Sequence, residues 1–112
     1  MTGPRIDYVE LPSLTAHELT RAFYAKSFGW TFTDYGPTYA AFDEGLEGGF
    51  QGDAAEAAAK PLPVIYSNNL EETAEAVQAA GGRIVRPIFS FPGGRRFHFL
   101  DPAGNELAVW GE

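Results

Sequence analysis

Phe97-His98-Phe99-Leu100-Asp101-Pro102-Ala103-Gly104-Asn105-Glu106-Leu107-Ala108-Val109-Trp110 reads as an alternating strand, a Pro/Gly turn and a second alternating strand. In a strand, successive side chains point to opposite faces. Phe97 and Phe99 therefore share one face with Leu107 and Val109, an apolar set suited to packing against helices. Arg96, His98 and Leu100 share the other face with Glu106, Ala108 and Trp110. A face that mixes histidine, carboxylate and tryptophan suits a cavity wall better than a core.

Upstream of this hairpin the chain divides into two halves of the same order. Ile6–Leu11 alternates as a strand, with Val9 and Leu11 on one face and Ile6, Tyr8 and Glu10 on the other. Thr15-Ala16-His17-Glu18 has capping-box spacing, which predicts Thr15 as the cap of a helix carrying Leu19, Ala22 and Phe23 on one face. Gly29 is placed to end it in the left-handed conformation. Strands are expected at Trp30–Tyr35, at Tyr39–Phe42 and near Gly48–Gln51, separated by Gly36-Pro37 and Asp43-Glu44-Gly45. In the second half, Leu62–Tyr66 is a strand and Asn69-Leu70-Glu71-Glu72 opens a helix. Leu70, Ala74, Val77 and Ala80 lie near one face of it, and Gly81-Gly82 ends it. Arg83–Phe91 is a strand in which Pro87 predicts an edge or a bulge, and Pro92-Gly93-Gly94 turns into the hairpin. The stretch from Gly52 to Lys60 shows no apolar face and reads as a linker with room for one helical turn. The expectation is one domain of two tandem βαβββ modules, 4–51 and 62–112, joined by residues 52–61.

Composition narrows the function classes. At 112 residues the chain supports one core. A net charge of −7 argues against nucleic acid and against an anionic membrane surface. No apolar run approaches the roughly 20 residues of a spanning helix, and the N-terminus lacks the plan of a signal peptide, so a cytoplasmic protein is expected. Without cysteine there is no disulfide, thiolate nucleophile or thiolate metal site. No Ser-His-Asp set and no glycine-rich phosphate loop is evident.

The ordered set Phe23-Tyr24, Phe28-Gly29-Trp30 and Asp101-Pro102-Ala103-Gly104-Asn105, on a tandem βαβββ plan, resembles the vicinal oxygen chelate superfamily. That group includes the glyoxalase I, bleomycin-resistance, fosfomycin-resistance and extradiol dioxygenase proteins. The resemblance covers essentially the whole chain. It implies an α+β fold whose paired modules form a mixed sheet curled around a cavity, with helices on the outer face and homodimerisation common. Metal-dependent members carry ligands on the first and last strands of each module. Here those positions fall on Tyr8, on Leu62, on Ala108 and around Gly48–Phe50, which supply little that holds a divalent ion. Glu106 precedes the usual glutamate position by two residues, about 7 Å along a strand. No metal and no cofactor are therefore expected.

His98 is the leading candidate for chemistry, because imidazole titrates near neutrality. The plainer reading is a core-edge histidine bonded to a neighbouring side chain. Glu10, a carboxylate within a strand, is either a general base or the partner of an arginine such as Arg95 or Arg96. Tyr8, Tyr39, Tyr66, Phe89 and Trp110 could stack on a planar ligand, or serve as core and dimer contacts. Arg96 and Glu106 complete the expected binding set. His17, in the first helical turn, reads as a surface residue. Three functions remain open: a metal-independent small-molecule binding protein of the bleomycin-resistance type, sequestering its ligand; a metal-free lyase or isomerase with Glu10 or His98 as acid-base group; and a dimeric regulatory domain with a vestigial cavity.

Overall fold

A computed structural model describes residues 3–112. It contains eight strands and two α-helices in the order β1 (Arg5–Pro12), α1 (His17–Phe28), β2 (Thr33–Asp34), β3 (Tyr39–Asp43), β4 (Glu47–Gln51), β5 (Leu62–Tyr66), α2 (Leu70–Ala79), β6 (Arg83–Phe91), β7 (Gly94–Leu100) and β8 (Glu106–Gly111). The class is α+β. Two compact units emerge: residues 8–62, and residues 63–112 together with the chain up to Asp7.

In the first unit, β1 pairs in parallel with β4, and β4, β3 and β2 follow as an antiparallel series. The expected strand Trp30–Tyr35 shrinks to Thr33–Asp34, because Trp30 and Phe32 are drawn into an aromatic core. Trp30 packs on Tyr24 and Phe42 with ring centroids 5.0 and 4.9 Å apart, and Phe50 meets Tyr24 at 5.1 Å. Helix α1 meets this core through Tyr24. Leu19 and Phe23, expected on its packed face, are 77% and 56% exposed. Arg21 covers Phe32 instead, its guanidinium 5.4 Å from the ring centre and paired with Asp34. The long stem shields the ring while the charge stays in water.

The capping box does not form. A short 3-10 turn over Leu14–Ala16 precedes α1, whose cap is Ala16, without a side-chain hydrogen bond. His17 is buried, not exposed, and its Nδ1 lies 2.6 Å from Ser13 Oγ. Ser13 opens the early turn through its carbonyl, which accepts from Ala16 N–H, and its hydroxyl goes to His17 rather than to a capping bond. At the other end Gly29 takes φ +73° and its N–H donates to Ala25, as its position predicts. Asp53 accepts from the N–H of Ala57 within residues 52–61, closing the single helical turn expected there.

The second unit is β5, β8, β7 and β6 in that lateral order, with β5 parallel to β8 and the others antiparallel. Asn69 caps α2 by accepting from Glu72 N at 3.1 Å. Leu70, Ala74 and Val77 pack on Phe97, Phe99, Val109, Ile65, Ile84 and Ile88. This is the apolar face that alternation assigns to β7 and β8. Ala80 lies past the helix end and is exposed. Asp101 ties the β7–β8 turn, accepting from the N–H groups of Ala103 and Asn105, each at 2.9 Å, while Gly104 takes φ +88°. Those bonds hold the Asp101 carboxyl below the usual carboxylate range, the Asn105 side chain contributing most.

Strand β6 carries two register shifts, between Ile84 and Arg86 and between Arg86 and Phe89. The first adds Val85 and the second spans Pro87, which has no N–H to donate to the ladder. Their effect is to put Ile84 and Ile88 on the helix side while Arg86 and Phe89 stand on the opposite face.

Candidate functional site

The expected site residues fall into two clusters, one in each unit. In the first unit Glu10 is 4% exposed on β1 and accepts from Tyr39 Oη at 3.2 Å. Tyr39 Oη in turn lies 2.6 Å from Tyr8 Oη. Since the Tyr39 proton goes to the carboxylate, the second bond is donated by Tyr8. Burial above all, with the charge of Glu10 and the neighbouring Tyr8, raises the Tyr39 hydroxyl well beyond the usual phenol range. The chain of two hydroxyls and a carboxylate rests on Gly49, which pairs with Glu10 and Ala41. Tyr39 leans across that glycine to reach β1.

Pairing in the second unit aligns rows across the sheet, because residues opposite each other in a ladder share a face. One row is Tyr66, Trp110, Arg96 and Phe89; the next is Val64, Ala108, His98 and Arg86. Glu106 stands diagonally from His98, and its Oε2 lies 2.9 Å from His98 Nδ1. Arg86 stacks on Phe89 at 3.7 Å from the ring centre, and Arg96 sits 5.5 Å from the same ring. Phe89 and the His98 imidazole are 5.9 Å apart. Trp110 meets Tyr66 edge-to-face at 5.0 Å and donates from Nε1 to Asp7 at 3.0 Å.

His98 is 2% exposed. Burial, acting first, and the charges of Arg96 and Arg86 lower its pKa; the hydrogen bond to Glu106 opposes them without prevailing. The balance disfavours the protonated imidazole. A carboxylate only accepts, so Nδ1 carries a proton, and in the neutral ring Nε2 presents a lone pair. Among the described residues, Nε2 is buried with no hydrogen-bond partner. A neutral acceptor held in that way can take a hydrogen bond or a proton.

A shallow cleft of about 210 Å³ opens elsewhere in the second unit, lined in part by Tyr66, Asn69, Glu71 and Arg95. It holds Tyr66 alone among the expected site residues. Arg95, the other arginine considered for Glu10, forks onto Glu71 at 2.5 and 3.3 Å.

Sequence reasoning missed Arg86 and Asp7. Regular alternation would group Arg86 with Ile84 and Ile88, and the register shifts on either side of it turn it toward His98. Asp7 gave no signal, its partner Trp110 lying at the far end of the chain.

The model of the Glyoxalase/Bleomycin resistance protein/Dioxygenase superfamily matches residues 6–109. The chain belongs to that superfamily. No curated protein matches it by sequence. Among solved structures, a protein from Legionella pneumophila described as an NAD-dependent benzaldehyde dehydrogenase superposes with a TM-score of 0.75 at 18% identity, over 93% of this chain and 96% of that one. A Streptomyces coelicolor methylmalonyl-CoA epimerase in complex with 2-nitronate-propionyl-CoA gives 0.71 at 13% identity, over 96% of each chain. The Mn(II)-bound glyoxalase from Novosphingobium aromaticivorans gives 0.62 at 18% identity, over 98% of this chain and 38% of that one. At these identities the likeness is one of fold.

Some of these superfamily members hold a divalent ion, and the donors present here do not fit one. Ala108 is fully buried between Val64 and His98, Leu62 is fully buried, and Gly49 is covered by Tyr39. Among the described residues, no three His, Cys, Asp or Glu side chains converge in a way that could hold a metal. Among them, too, no helix is long and apolar enough to cross a membrane.

Proposed function

We propose that this superfamily member is a small-molecule binding protein whose recognition does not run through a bound metal, with His98 as the central contact. The observation that carries the reading is His98 Nε2, buried and without a hydrogen-bond partner among the described residues. Leaving such a group unsatisfied costs about 1–3 kcal/mol, so an external partner restores a real interaction. Glu106 fixes the tautomer, and Phe89 and Trp110 supply aromatic surface on the same face. The mismatch of Tyr8, Leu62 and Ala108 to a metal supports the metal-independent form. Sequestration needs nothing further. A homodimer, a cytoplasmic location and module boundaries at 4–51 and 62–112 belong to the same proposal.

The hydrogen bond from His98 to Glu106 favours a second reading, a metal-free lyase or isomerase. Carboxylate-oriented imidazole is the arrangement a general base requires. Glu10, already accepting from Tyr39, is the weaker candidate for that role.

The test is elemental analysis of the untagged protein before and after chelator, with melting followed in parallel. A small-molecule thermal-shift screen then compares the wild type with His98→Phe. Sub-stoichiometric metal, an unchanged melting curve and stabilising ligands lost in the variant are expected. A tightly held divalent ion whose removal lowers Tm overturns the reading. Turnover that survives chelator and vanishes in His98→Phe selects the enzyme.

A further inference from the structure

We infer that the solvent-facing side of α1 is an interface with a second copy of this chain, the two helices packing antiparallel about a two-fold axis between Ala22 and Phe23. The inference rests on the homodimer of the proposed function, not on the role of His98, and assigns that dimer a surface.

Helix α1 is apolar on two sides, and one of them suffices to hold it to its own unit. There Tyr24 stacks on Trp30 and meets Phe50, and His17 is buried beside Ser13. On the far side Leu19 and Phe23 stand one turn apart with Ala22 between them, all three exposed. A contiguous apolar stripe marks an interaction surface, whereas apolar residues exposed singly do not. Lys26 continues the stripe beyond Phe23, and Glu18 flanks its start; both are exposed. Glu18 reaches Arg21 at 3.5 Å, yet its side chain is 78% exposed, and Arg21 is also engaged by Asp34.

Reversed, the stripe complements itself. In the antiparallel pair each Phe23 ring lies against Ala22 of the second copy. A ring facing a methyl lets the helix axes approach to about 8–10 Å. Each Lys26 lies against the second copy's Leu19, its stem covering the leucine. Its ammonium then stands about 1.5 Å of helix rise from the level of the second copy's Glu18. Symmetry makes this ion pair twice, and it sets an acidic helix start beside a basic helix end, as the helix dipoles favour. A parallel pair would instead oppose Glu18 to Glu18 and Lys26 to Lys26. Two copies that each carry a net charge of −7 repel, so a surface on which local charges cancel is the one suited to self-association. Helices of 12 residues, each about 18 Å long, make a small contact. The dimer should therefore dissociate at about 10–100 µM, and dilute thermal melts read the monomer.

The experiment is sedimentation equilibrium of the full chain at low salt, over about 5 to 500 µM. The wild type should pass from monomer to dimer. Lys26→Glu and Glu18→Lys should each weaken association about 10-fold, since each opposes like charges at both symmetry-related places. The first makes the chain more acidic and the second less, so repulsion between whole chains would move them in opposite directions. An equimolar mixture of the two variants should dimerise again, because every pair across the interface is once more of opposite sign. Recovery on mixing is a result that damaged folding cannot give. If Glu18→Lys does not fold, Phe23→Gln, which removes the ring seated on Ala22, takes its place, and a weakening in both it and Lys26→Glu is expected. A dimer that neither variant weakens, or opposite shifts in the two charge variants, overturns the α1 surface and leaves the homodimer to another face. Weakening in both without recovery on mixing overturns the antiparallel pairing. A wild type that stays monomeric throughout overturns the homodimer along with its surface, while ligand binding at His98 is judged separately by the thermal-shift screen.

Discussion

The ring of Tyr39 lies over the α-carbon of Gly49, where a β-carbon would collide with the tyrosine hydroxyl and ring. That overlap lets a residue on β3 reach across β4 and donate to Glu10 on β1. Gly49 thus serves as a seat for an aromatic ring.

Gly49→Ala should displace Tyr39 and break its hydrogen bond to a buried carboxylate. We expect a loss of about 1–3 kcal/mol, seen as a lower Tm. In a Tyr39→Ala background the same substitution should cost little. An equal cost in both backgrounds would show that the overlap is not the cause.

His98 should make stability depend on pH. Its folded pKa lies below the unfolded value of about 6.5. In that interval the unfolded chain binds the proton and the folded one does not. The stabilisation is present above pH 6.5 and is lost as the pH falls toward the folded pKa. Denaturant melts between pH 5 and 8 should therefore slope more steeply for the wild type than for His98→Phe. Parallel curves would contradict the neutral imidazole.

Glu106→Gln should lower the His98 pKa further, since the carboxylate is the group that opposes burial. Stability should fall by about 1 kcal/mol, modest because Glu106 is partly exposed. An NMR titration of His98 that does not move would place its tautomer under other control.

His17→Ala should cost about 1–2 kcal/mol through loss of the buried bond to Ser13. Leu19→Ala, on an exposed side chain of the same helix, should stay within about 0.5 kcal/mol. Thermal melts of the two variants check the contrast. A larger effect from Leu19 would mean that its exposed side is covered in solution.

Much of the architecture was legible because period and punctuation are local. Phe97, Phe99 and Val109 alternate, Leu70, Ala74 and Val77 recur at helical spacing, and Asn69, Gly29 and Gly104 sit where the backbone needs them. The first helix misled because apolar content does not state which side packs. Tyr24 faces the core with Arg21 beside it, while Leu19 and Phe23 face outward. The early 3-10 turn, invisible in a capping pattern, set that rotation.

The candidate site divides along the same line. Sequence alone assigned His98, Arg96 and Glu106 to one face, since alternation within a hairpin is fixed by the pleat. It also placed Tyr8 and Glu10 together on β1. Only tertiary structure paired His98 with Glu106, brought Tyr39 across Gly49 to Glu10, and turned Arg86 through the register shifts on either side of it. Those relations depend on register between strands and on the volume left by a missing side chain. Neither is a property of any one strand, so neither can be read from its residues.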